Sequence, residues 1–170
     1  MNVSIVIFSG LVLYFILVYW LFNRHYRRSR KKWISNIPYN SLVKEVILFA
    51  SALDNSTSIK YLPSIKISYH KHSKWGGCYR DNQITIYKKN INGVTELVTI
   101  LLHEYAHHLQ YRIDGRKFDK KYSELNKTVG YAKNDYELES QEFTKKWTKP
   151  CLTYLANKAI IVRSGICRKA

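Results

Sequence analysis

Twenty consecutive residues without a charge, Val3 to Phe22, constrain this 170-residue chain more than any other feature in it. At about 1.5 Å of rise per residue, a helix of that length crosses the roughly 30 Å hydrocarbon layer of a bilayer. Ser4, Ser9 and Gly10 alone interrupt the run, and Tyr19 and Trp20 stand near its end, where amphipathic rings favour the headgroup level. A cleaved signal peptide fits less well. No basic segment precedes the run, no small-residue cleavage site follows it, and it passes directly into Asn23-Arg24-His25-Tyr26-Arg27-Arg28. The expectation is an uncleaved single-pass transmembrane anchor over 1–22 and a basic juxtamembrane linker over 23–37.

The chain carries 28 Lys+Arg against 12 Asp+Glu, a net charge of +16. Such an excess would by itself suggest nucleic acid as a partner. Its distribution argues otherwise. Residues 1–35 hold six basic residues and no acid, 143–170 hold seven and no acid, and 36–142 hold 15 against all 12 acids, a balance of +3. Any recruitment of nucleic acid or acidic partners would have to run through the two ends, because the centre is nearly neutral. Only Met1 and Asn2 precede the apolar run while six cations follow it, so the positive-inside bias orients the rest of the chain toward the cytoplasm. The same cations are suited to anionic lipid headgroups, at about 1 kcal/mol per residue near the surface. Three widely spaced cysteines, Cys78, Cys151 and Cys167, suit a reducing compartment and suggest neither a disulfide framework nor a cysteine zinc site.

Beyond the linker the pattern is α+β. Leu42, Val46, Phe49 and Leu53 recur at helical spacing over Tyr39–Leu53. Ile65–Tyr69 and Gln83–Tyr87 alternate as strands, separated by a glycine-centred loop or bulge at Trp75-Gly76-Gly77-Cys78. A long helix is expected from about Val94 to Arg112, stopped at Asp114-Gly115. Residues 116–134 look polar and irregular. Asp135–Trp147 reads as a helix that Pro150 interrupts, leaving 38–149 as the folded domain and 150–170 as a basic C-terminal segment that includes a short helix over Cys151–Val162.

The long helix contains His103-Glu104-Tyr105-Ala106-His107. Side chains at i and i+4 share a helical face, so two imidazoles can reach one ion at Zn–N distances of about 2.0–2.1 Å. Glu104, beside the first histidine, can accept a proton from a water activated by that ion. Leu97, Ile100, Leu101, Leu102, Ala106 and Leu109 surround the motif, so it sits on a core element that would hold it rigidly. A catalytic zinc needs a third protein ligand and an open position. The following helix offers Glu137, Glu139 and Glu142. Glu139 shares a face with Glu142 and Phe143 while Glu137 points elsewhere, and spacing alone leaves Glu139 and Glu142 as alternatives. His108 faces away from the metal side of the motif, His70 and His72 lie among lysines on a strand face, and His25 belongs to the basic linker. Tyr111, Tyr122, Tyr131 and Tyr136 are all candidates to donate to a developing oxyanion.

An apolar Leu-Val-Thr-Ile-Leu-Leu-His103-Glu104-x-x-His107 helix, preceded by a strand and followed by Glu-x-Glu-Ser-x-x-Phe, resembles the gluzincin zinc peptidases, and is most similar to their small single-domain ImmA/IrrE-like branch. The likeness covers roughly residues 60–148. It implies a small zincin-like domain with Zn²⁺ on His103, His107 and Glu139, the glutamate directly before Ser140 and four before Phe143. It also implies that Ile84–Tyr87 is a sheet edge along which an extended peptide substrate docks by strand addition. Ser140-Gln141 departs from the commoner Ala-Asn, and the membrane anchor departs from the mostly soluble members of that branch. The expected function is a membrane-anchored zinc metallopeptidase with Glu104 as general base. The alternative is a noncatalytic membrane-associated module that the same zinc stabilises, although such a site has no use for a glutamate beside the ion's water.

Overall fold

The computed structural model describes residues 12–22, 24, 39–54, 62–70, 72 and 74–158, and the chain divides into two compact units, Met1–Ile37 and Pro38–Ala170. In the first unit, residues 12–22 are helical and exposed, with the Arg24 guanidinium 5.1 Å from the Trp20 ring centroid. The beginning of the uncharged run and most of the basic linker lie outside the described residues. Among the described residues no helix is long and apolar enough to cross a membrane.

The second unit is an α+β domain. Helix α1 (Tyr39–Leu53) buries Tyr39, Leu42, Val43, Val46, Ile47 and Ala50, the stripe expected of an amphipathic helix. Strands β1 (Ser64–Ser68), β2 (Gly77–Arg80) and β3 (Gln83–Tyr87) form one sheet in the order β1-β3-β2, with β1 parallel and β2 antiparallel to β3. β2 and β3 form a hairpin through Asp81-Asn82, both at positive φ (50° and 59°), a conformation that short polar side chains tolerate and that matches the twist of the strands. The hairpin overturns the expectation that Ile84–Tyr87 is a sheet edge. β3 is the central strand, Ile84 and Ile86 are fully buried, and the glycine-centred segment forms the edge strand β2.

Helix α2 (Val94–Asp114) runs through the centre of the domain, burying Leu97, Val98, Leu101, Leu102 and Tyr105 against α1, β2 and the last helix. It stops where Gly115, at φ 59°, donates its N–H to the Tyr111 carbonyl, a left-handed residue after the last turn. The segment expected to be irregular contains helix α3 (Phe118–Thr128), of which Phe118 is buried. Helix α4 (Asp135–Asn157) starts at Asn134, whose side chain accepts from the Tyr136 N–H at 3.0 Å and donates to Asn126 of α3 at 2.8 Å. Pro150 does not end it. Proline removes one backbone donor, but Lys146, whose carbonyl loses that bond, is exposed to water, and Cys151 and Leu155 beyond it are buried in the core. Tyr154 and Lys158 both donate to the Glu45 carboxylate of α1, at 2.8 and 2.9 Å. Residues 150–158 are therefore part of the fold, not a separate segment.

Candidate metal centre

His103 and His107 project one turn apart from α2, their ring centroids 4.8 Å apart and their planes perpendicular. Glu137 enters from the first turn of α4. Its Oε2 lies 3.2 Å from His103 Nε2 and its Oε1 lies 3.3 Å from His107 Nε2. The three residues each present a ligand atom within 4.8 Å of the others, a set able to hold a metal ion. Glu139 and Glu142, the two carboxylates weighed from spacing, are exposed and do not join the set. The reason is the rotation of α4. Its inward stripe is Glu137, Ser140, Thr144, Cys151 and Leu155, so the face assumed to point elsewhere is the face that meets α2.

The donor chemistry fits zinc. Two imidazole nitrogens and one carboxylate are donors that zinc accepts. Glu137 is 1% exposed, and its buried Oε2 faces His103 Nε2 at 3.2 Å without a well-formed hydrogen bond. A carboxylate oxygen in that state is costly unless a cation compensates it. Burial alone would raise the Glu137 pKa, but the neighbouring imidazoles and the Tyr122 and Tyr131 hydroxyls outweigh it and hold the carboxyl well below its ordinary range. For His107 burial opposes protonation, yet Glu137 and Glu104 prevail and the pKa is raised.

A further layer orients His107. Its Nδ1 is 2.8 Å from Gln110 Oε1 and 3.2 Å from Ser140 Oγ. The Gln110 amide donates to the Tyr136 carbonyl at 2.9 Å and to Glu139 Oε2 at 3.0 Å. With the Gln110 nitrogen facing two acceptors, its oxygen must accept from His107, which puts the imidazole proton on Nδ1 and leaves Nε2 free to ligate. Glu139 thus touches the site through Gln110.

Glu104 is buried on the side of α2 next to β2. Burial raises its pKa, opposed mainly by the two histidines and the Tyr79 amide. It opens onto a groove of about 440 Å³, whose walls include Trp75, Gly76, Gly77, Ile100, His103 and Tyr131. A larger cavity of about 580 Å³ between α2, α3 and α4 is lined by neither histidine nor by Glu104. At the groove, a Cβ on Gly76 or Gly77 would lie 2.3 or 2.6 Å from Ile100, so glycine is what permits this segment to approach α2 so closely. Alternate pairing in the antiparallel ladder, with Tyr87 N–H donating to Gly76 O at 2.8 Å, directs the backbone groups of Gly77 and Tyr79 away from β3, toward the open side of the sheet.

The remaining candidates separate by position. Tyr122 donates to Glu137, and Tyr131 lines the groove beside that carboxylate at 40% exposure. Tyr136 donates to Asp114, and Tyr111 packs on Tyr79 and Phe118, so neither faces the groove. His108 is buried beneath Tyr79 and Tyr105, away from the set. His72 accepts through Nδ1 from the Lys74 and Trp75 amides and shapes the loop ahead of β2. No family model, curated protein or solved structure matches the chain.

Proposed function

We propose that this chain is a zinc-dependent metallopeptidase, held at a membrane by its N-terminal segment, with the domain that follows on the cytoplasmic side. We group it with the small ImmA/IrrE-like gluzincins, but with Glu137 rather than Glu139 as the third ligand. The observation that carries the reading is Glu104. It is a buried carboxylate outside the His103-His107-Glu137 set, and it opens onto a groove that reaches His103. A zinc that only stabilised the fold would gain nothing from such a group.

Zinc held there would act as a Lewis acid and bring the pKa of a water to about 7. Glu104 takes the proton from the attacking water and delivers it to the leaving nitrogen. Its burial suits this, because a raised carboxyl pKa brings the base closer to the working pH. Tyr131 donates its hydroxyl to the carbonyl oxygen as negative charge develops there. The outward backbone groups of Gly77 and the Tyr79 carbonyl align the extended substrate, and the absence of side chains at Gly76 and Gly77 lets its scissile bond come close to α2.

Glu104→Gln tests this directly. The variant should retain zinc in one-to-one ratio and lose about 10²–10⁴-fold in peptide hydrolysis, the usual contribution of a general base. Hydrolysis at the wild-type rate by Glu104→Gln, or wild-type protein that takes up no stoichiometric zinc, would rule the mechanism out.

A further inference from the structure

The groove beside Glu104 has one wall that the chemistry of hydrolysis does not use. Along α4, Gln141, Thr144, Lys145 and Thr148 face it at the i, i+3, i+4, i+7 spacing of a single stripe. Apart from the site's own His103 and Glu104, Lys145 is the only charged residue lining the groove among the described residues, and it forms no ion pair there. The opposite wall is apolar. Trp75, 43% exposed, stacks on Tyr131 with ring centroids 5.4 Å apart, and Ile100 of α2 adds its side chain to the groove lining. That wall is built rather than incidental, since Asn90 Nδ2 donates to both the His72 and Trp75 carbonyls, at 2.8 and 2.6 Å, and so pins the loop that presents Trp75.

Resting on the peptidase reading of this site, we propose that the groove selects peptides carrying an apolar side chain for the Trp75–Tyr131–Ile100 wall and an acidic side chain for Lys145. The spacing follows from the helix. Lys145 is eight residues beyond Glu137, about 12 Å along the axis, and an extended peptide advances about 3.3 Å per residue. The acidic residue therefore belongs about three to four positions from the scissile bond. Charge complementarity at such a half-solvated site acts on selectivity and encounter more than on raw affinity.

The test uses the full-length, zinc-loaded Glu104→Gln protein in neutral detergent, so that binding is read without turnover. The probes are two pools of labelled twelve-residue peptides with Leu or Phe at the centre, which differ only in Glu or Lys three and four positions to either side. The Glu pool should bind about two- to fivefold more tightly by fluorescence anisotropy, the upper range of one exposed charge pair. Lys145→Glu should reverse that order, whereas Lys127→Glu, an equal charge change on exposed α3, should leave it intact. Equal affinity for the two pools, or an acidic preference that persists in Lys145→Glu, overturns the proposal. Wild-type protein that binds the Glu pool selectively but cleaves neither pool would refute the peptidase reading and leave the peptide groove standing.

Discussion

Replacing Gln110 by alanine should weaken zinc binding without touching a ligand. Gln110 is buried, accepts from His107 Nδ1 at 2.8 Å, and donates to the Tyr136 carbonyl and to Glu139. Its removal takes away three hydrogen bonds at about 1 kcal/mol each, so the metal-free domain should lose roughly 2–3 kcal/mol. The effect on the metal is a separate quantity. Losing the partner that fixes a ligating imidazole costs about 10–100-fold in affinity, or roughly 1.4–2.8 kcal/mol. Ser140 Oγ stands 3.2 Å from the same Nδ1 and can take over part of the role. The expected loss is therefore about tenfold for Gln110→Ala and nearer a hundredfold for the double variant with Ser140→Ala. Competition against a chromophoric zinc chelator reads the affinity, and melting of the metal-free protein reads the fold. Glu139→Gln still offers an oxygen to Gln110 and should change affinity by only about threefold, whereas Glu137→Gln should lose far more than either. Wild-type affinity in Gln110→Ala, or equal losses in Glu139→Gln and Glu137→Gln, would refute this assignment of ligand and supporting layers.

Two further outcomes follow from the geometry. In Gly77→Ala the new methyl would lie 2.6 Å from Ile100 Cγ2, on a β-branched side chain that cannot swing aside, so stability should fall by about 1–3 kcal/mol and the melting temperature by several degrees; an unchanged melt would contradict the close approach of β2 to α2. In metal-free protein the raised His107 pKa gives a contribution that is full below about pH 6.5 and is lost as pH rises through the folded value, and the raised Glu104 carboxyl has the same sign. Glu137, held low, acts only under acid conditions, so it does not alter that window. Zinc must displace the histidine protons, so the rise in melting temperature on adding zinc should be larger at about pH 8 than at about pH 6. A constant or shrinking increment would count against histidine ligation.

Elements with a clean apolar period were legible in the sequence. Helix α1 has the expected bounds, α2 runs two residues past the expected end to Asp114, and β3 has its predicted ends. The misplaced features share a physical cause, in that something other than hydrophobic period decides them. β2 was hidden because Gly76 and Gly77 read as a loop, while their real role is close packing under Ile100. Its hairpin with β3 then moved the sheet edge. Helix α3 carried a signal that could have found it, Phe118, Tyr122 and Leu125 at i, i+4 and i+7, diluted by lysines. The third carboxylate was the hardest to read. The inward stripe of α4 begins Glu137, Ser140, Thr144, all polar, so no apolar stripe announced which face meets α2. His103, Glu104 and His107 needed only the i, i+4 rule; Glu137 needed the packing.

Peptidase chemistry at this site depends on where a zinc ion sits and what is left open around it. Anomalous diffraction at the zinc edge from crystals of the zinc-loaded domain would show this directly. The predicted result is one ion about 2.0–2.2 Å from His103 Nε2, His107 Nε2 and a Glu137 oxygen, with Glu104 outside the coordination sphere and a non-protein oxygen in the fourth position. An ion closed by a fourth protein ligand, or one held by Glu139 in place of Glu137, would contradict it.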